Sequence, residues 1–155
     1  MTASLRDELR QKKPFTSLQE EAHLNVVRTA SALADATEEL LKRHGITGTQ
    51  YNVLRILRGA EPDGLGRNEL RDRMLTRMPD MTRLLDRMED AGLVARTRDA
   101  VDRRLVLTRI TKAGRRLVDE LDTPVGDLHK NRLGHLTATQ LRTLVELLTL
   151  MRRGA

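Results

Sequence analysis

Hydrophobic positions keep a helical spacing as far as Gly92, change there to short β-rich runs, and return to helical spacing after Thr111. Val26, Ala30, Leu33, Ala34 and Leu41 mark the first helical face. Ahead of them Ser17-Leu18-Gln19-Glu20 is a capping box, in which hydroxyl and carboxylate each satisfy a backbone N–H. The pattern predicts a first helix of about 27 residues, with Lys42, Arg43 and His44 on the favourable side of its dipole and Gly45 as its stop. Thr47-Gly48-Thr49-Gln50 repeats the box, with Ile46 and Tyr51 as a staple, and opens a short second helix over Val53, Leu54, Ile56 and Leu57. Glu61-Pro62-Asp63-Gly64 is turn chemistry, and a third short helix, Asn68 to Met74, buries Leu70 and Met74. A fourth begins at Pro79, which suits a first helical position, with Asp80 complementing the dipole. It buries Met81, Leu84, Leu85 and Met88, and Gly92 ends it.

Leu93 to Arg98 and Leu105 to Ile110, rich in Val, Leu and Thr, flank Asp99-Ala100-Val101-Asp102-Arg103-Arg104 and predict a β-hairpin with a charged tip. Thr111 caps a fifth helix carrying Leu117, Leu121, Val125 and Leu128, which Pro124 and Gly126 should kink or interrupt. A third capping box, Thr137-Ala138-Thr139-Gln140, with Leu136 and Leu141 as staple, starts the last helix. Its apolar residues Leu141, Leu144, Val145, Leu147, Leu148, Leu150 and Met151 exceed the stripe one neighbour would cover, so it is expected to pack on two sides, one of them another subunit.

The 155 residues suit one domain or two closely fused lobes, and 39% apolar with 32% charged residues is a globular composition. No stretch is long enough for a membrane helix, and the charged start of the chain lacks the apolar region of a secretory signal, which leads to the expectation of a cytoplasmic protein with no membrane partner. The absence of Cys excludes disulfides, thiolate-held zinc, thiol nucleophiles and cysteine redox sensing. Phe15 and Tyr51 are the only aromatics, too few for stacking single-stranded bases, and Tyr51 reads as core.

Net charge is +6, and its placement is informative. Between Arg67 and Arg116 there are 14 Lys or Arg against 8 Asp or Glu, whereas the remaining 105 residues carry 14 of each. A basic block between neutral flanks reads as an anion-binding lobe held by a scaffold. Three short helices followed by a hairpin, coinciding with that block, describe a winged helix-turn-helix, in which the third of these helices enters the major groove of duplex DNA and the hairpin touches the flanking minor groove. The expected fold class is therefore mainly α.

Steric access nominates the contact residues. Arg77, Asp80, Thr82 and Arg83 point away from the Met81/Leu84/Leu85 face toward base edges or nearby phosphates, with Arg83 the first choice for a guanine. Arg67, Asn68, Arg73 and Thr76 suit phosphates, because a short helix start presents backbone N–H groups to an anion. Arg87 is either a further phosphate contact or an intrahelical partner of Asp86, Glu89 or Asp90.

These residues resemble the multiple antibiotic resistance regulator (MarR) family. Ile46-Thr47-x-x-Gln50-Tyr51-x-Val53-Leu54 is similar to its second helix, and Met81-Thr82-Arg83-Leu84-Leu85-Asp86-Arg87-Met88-Glu89-x-x-Gly92-Leu93-Val94-x-Arg96 to its recognition helix and first wing strand. Asp102-x-Arg104, followed by Leu107, Ile110-Thr111 and Gly114, resembles its wing signature. The resemblance implies a homodimer on pseudo-palindromic double-stranded DNA, usually a repressor released by a small-molecule effector, with 46–114 as the DNA-binding lobe and 1–45 plus 115–155 as a dimerisation arm. It implies that Arg104 enters the minor groove, held by a bidentate pair with Asp102 unless Asp102 serves only the turn; Arg103 beside it is left to groove or phosphate. An effector pocket would lie between lobe and arms, lined from the first helix, the Ile46 to Val53 region and the start of the fifth helix, but no compound is indicated.

Some members of the family bind zinc, yet His23, His44, His129 and His135 show no i,i+4 pair; His129 and His135 are expected as exposed residues in the loop between the last helices. Neither metal nor cofactor is expected, although a metal-responsive regulator stays open as an alternative. No nucleophile elbow, zincin, P-loop or dinucleotide motif occurs, and Glu20/Glu21 and Glu38/Glu39 need no acid–base role, so no enzyme is expected. A non-specific architectural DNA binder, or a membrane-surface one, is the other reading that the basic block allows.

Overall fold

The computed structural model describes residues 3–154. The chain divides into two compact units, Met1–Gly48 and Thr49–Ala155. The first holds α1 (Leu5–Glu8) and α2 (Leu18–Lys42). Helix α1 was not foreseen; Ser4 and Asp7 close it with a reciprocal capping box. At the start of α2 Ser17 Oγ accepts the Glu20 N–H at 3.1 Å, but the Glu20 carboxylate turns to the backbone N–H and hydroxyl of Thr16 at 2.6 and 2.7 Å, so the expected box is only half made. Along α2 Ala36 and Leu41 are buried, whereas Ala30, Leu33 and Ala34 of the predicted face are exposed.

The second unit carries α3 (Gly48–Gly59, its first residue at the boundary), β1 (Leu65–Gly66), α4 (Arg67–Asp72), α5 (Met81–Asp90), β2 (Val94–Arg98), β3 (Val106–Ile110), α6 (Lys112–Leu133) and α7 (Ala138–Arg153). Its core is aliphatic: Leu54, Leu57, Leu70, Leu85, Met88, Val94, Val118 and Leu121 are all 2% exposed or less. Each such side chain stabilises the fold by about 1.5–3 kcal/mol relative to exposure. Helix α4 ends two residues earlier than expected, and Met74 beyond it is only half-buried.

Strands β2 and β3 pair antiparallel from Val94↔Ile110 to Arg98↔Val106. A third strand, β1, adds to β3 through Leu65↔Thr108 and Gly66↔Leu107, giving the order β1-β3-β2. Gly64 enters it with φ +78, and a side chain there would meet the Thr108 carbonyl. Helix α6 runs on through Pro124, so of the expected kink or interruption the interruption does not occur. Proline removes one ladder hydrogen bond, and buried Leu121 and Val125 on either side secure the helix through that gap. Helix α7 starts with the predicted Thr137/Gln140 box and buries no residue in the single chain.

Candidate nucleic-acid interface

Helix α5 is rooted by Met81, Leu85 and Met88, which are buried, so that Thr82, Arg83, Asp86 and Arg87 face outward. Its start differs from the expectation: Pro79 lies outside the helix and Asp80 is the N-cap, its carboxylate accepting the Arg83 N–H at 3.0 Å. A carboxylate at the cap satisfies an orphan donor as well as the dipole, which proline at the first position would not. Asp80 is thereby occupied in shaping the helix, while Thr76, Arg77, Thr82 and Arg83 around it are exposed.

The hairpin tip is closed by backbone-directed carboxylates. Asp99 Oδ1 accepts from Val101 N–H at 2.9 Å and Asp102 N–H at 2.8 Å, and Asp102 Oδ1 accepts from Arg104 N–H at 3.0 Å. The two backbone donors, Asp102 first, hold the Asp99 carboxyl below its ordinary range. The expected bidentate pair between Asp102 and the Arg104 guanidinium is therefore corrected: Asp102 serves the turn, because the short carboxylate reaches a main-chain donor two residues on without ordering a long side chain. Among the described residues Arg77, Arg83, Arg87, Arg103 and Arg104 make no ion pair, so the intrahelical alternative for Arg87 is not seen.

Other arginines are structural. Arg96, singled out beforehand only as part of a motif, clamps β2 to α5: its Nη2 lies 2.6 Å from Asp86 Oδ1 and 2.6 Å from Glu89 Oε2, and its backbone N–H donates to Glu89 Oε1 at 2.9 Å. Arg73 pairs with Glu69 one turn back, which directs it along α4 rather than outward. Arg67 Nη1 donates to Thr82 Oγ1 at 3.2 Å, joining the start of α4 to α5. Arg67, Asn68, Thr82, Arg96 and Arg104 border one groove of about 580 Å³ floored by Leu85, Leu105 and Leu107. All twelve candidate residues are exposed.

The Arg96 clamp has a measurable signature. Its guanidinium and then its N–H hold the Glu89 carboxyl below the ordinary glutamate value, so the clamp is complete above that value and is lost as pH falls through the depressed one. In an acid titration followed by NMR the Arg96 amide is expected to move with a midpoint below that of a free glutamate, and Glu89→Gln to abolish the transition. A midpoint at or above the free value would remove Glu89 from the clamp.

Elsewhere in this unit Arg58 of α3 reaches α6, 2.7 Å from Asp119 and 2.8 Å from Asp122, and Arg115 pairs with Glu61. Sequence spacing carries no signal for pairs so far apart in the chain. His23 and His44 are exposed in or just after α2; His135 lies in the connection before α7, but His129 is inside α6 because that helix continues past Pro124. Among the described residues no three His, Asp or Glu side chains gather as a metal site, and no helix is long and apolar enough to cross a membrane.

A sequence profile described as the MarR family matches residues 44–105. The homoprotocatechuate degradative operon repressor of Escherichia coli is 31% identical over 109 residues, 70% of this chain and 72% of its own length. A MarR transcription factor from Planctomyces limnophilus shares 40% identity and superposes with a TM-score of 0.67, covering 88% of this chain and 99% of that one. The MepR–DNA complex of S. aureus superposes with a TM-score of 0.79 over 92% of this chain and 100% of that one at 23% identity, a likeness of fold.

Proposed function

The chain belongs to the MarR family of DNA-binding transcriptional regulators, and on that premise we propose that it is a homodimeric repressor of a pseudo-palindromic operator, released by a small-molecule effector. One observation carries the reading. The approach to α5, its first turn and the tip of the hairpin present Arg77, Arg83, Arg103 and Arg104 exposed and without an ion pair, within the stretch 67–116 that holds all of the net positive charge. Arg83 reads a base edge, Arg104 enters the minor groove, and Arg67, Asn68, Thr76 and Arg87 hold phosphates. Asp80 acts through the helix start it caps. The repressor named above supports the direction of control. Residues 46–114 form the DNA-binding lobe, and 1–45 with 115–155 the dimerisation arm.

Selection of sites from a randomised duplex pool at about physiological salt tests this. An inverted repeat with half-sites about 10 bp apart is expected; recovery of no motif would favour an architectural binder. On the selected duplex Arg83→Ala is expected to lose about 1–3 kcal/mol and to relax preference at one position per half-site. An equal loss on every sequence would make Arg83 a phosphate contact.

A further inference from the structure

The turn between α4 and α5 holds an apolar side chain that no core residue covers. Leu75 is 86% exposed, although Met74 and Met78 are half-buried. Its backbone is fixed, because the Leu75 N–H donates to Asn52 Oδ1 on α3 at 2.9 Å. The side chain is thus held outward by a built contact. Met74, Leu75, Met78 and Pro79 form the apolar part of a hollow of about 610 Å³ that Arg71, Asp72, Thr76 and Arg77 share. Asp72 is taken up by Arg71 at 3.1 Å, and Arg77 makes no ion pair among the described residues, so the hollow carries one cation in surplus.

Apolar contact beside free positive charge fits a surface that is anionic and yet carries methyl groups. The major groove is such a surface: phosphates line it, and thymine alone among the bases presents a C5-methyl there. We propose that Leu75 packs on the methyl of one thymine in each half-site and is a specificity-determining residue alongside Arg83. Charge complementarity selects DNA over an apolar protein segment as the occupant, and the hollow runs on in sequence to the Asp80-capped start of α5. The inference rests on the reading that α5 enters the major groove.

The test uses the repeat selected by the full-length protein. Each thymine of a half-site is replaced in turn by deoxyuridine, which removes only the methyl, and binding is measured for the wild type and for Leu75→Ala. At one position the wild type is expected to lose roughly fourfold per half-site, the equivalent of one buried methyl, whereas Leu75→Ala loses nothing further there. Selection with Leu75→Ala is expected to return the same repeat with the thymine preference relaxed at that position, and Leu75→Met to restore it. Uridine effects that are equal in both proteins at every position would overturn the proposal while leaving the repeat, and the DNA reading, intact. Failure of the wild type to select a repeat would overturn both. Because Leu75 is exposed, unchanged thermal melting of the variant separates a lost contact from a lost fold.

Discussion

Gly114→Ala is expected to destabilise the second unit by about 3 kcal/mol, at the upper end of overpacking costs. Gly114 lies in the first turn of α6, where a Cβ would stand only 2.2 Å from the Leu93 carbonyl oxygen and 3.1 Å from both Ile110 and Leu54. The Leu93 carbonyl cannot retreat freely, since it accepts the Thr111 N–H at 3.1 Å. Thr111 in turn caps α6 through Gly114 N–H and donates its hydroxyl to the Gly92 carbonyl at 2.7 Å. One methyl group would therefore prise apart the end of α5, the start of β2 and the start of α6 together. Urea denaturation measures the loss, and Gly126→Ala is the control: the same chemical change in the same helix meets no atom within 4 Å and should be neutral or slightly stabilising. A loss below about 1 kcal/mol at Gly114 would mean that the junction yields.

The second large effect concerns assembly. Leu147→Glu combined with Leu150→Glu is expected to give a folded monomer whose affinity for the full operator falls by about 100-fold or more, because each lobe then binds without the effective concentration its partner supplies. The two leucines are 55% and 60% exposed in the single chain, and Leu144, Val145 and Met151 beside them are also uncovered. Five apolar side chains left uncovered on one helix are more than a solvated surface needs, and in the proposed homodimer a second copy covers them. Sedimentation and operator binding, read side by side, check the outcome. A double variant that remains a dimer would place the subunit contact elsewhere.

Much of this was legible in the sequence because it rests on local rules. Thr137 and Gln140 cap α7 as their spacing demands, Gly92 stops α5 with φ +72, and the two strands of the hairpin fall on the two short β-rich runs. What escaped was decided by competition between neighbours or by distance in the chain. The Glu20 carboxylate goes to the N–H and hydroxyl of Thr16 although Ser17 carries the same two donors, and Asp80 rather than Pro79 sets the helix start. Strand β1 is two residues long, too short for any alternation to register. The Arg58–Asp122 and Arg96–Glu89 pairs join residues that only the fold brings together, so no spacing rule could pick them from among 28 basic side chains. At the interface itself exposure was predictable from the opposite, buried face of α5, but the division between free and occupied arginines was not. It depends on which carboxylates fall within reach.

The closure of the hairpin tip has a consequence for how binding begins. The backbone N–H groups of Val101, Asp102 and Arg104 are held by Asp99 and Asp102 before any duplex arrives, and the Asp99 N–H is held by the Leu105 carbonyl at 2.8 Å. Arg103 and Arg104 thus ride on a loop that has already lost its main-chain freedom during folding, and only their side-chain rotamers remain to be fixed. The entropy that a floppy wing would surrender on each encounter is settled once, in the free protein, which on the proposed function favours fast capture of the minor groove by a preformed tip.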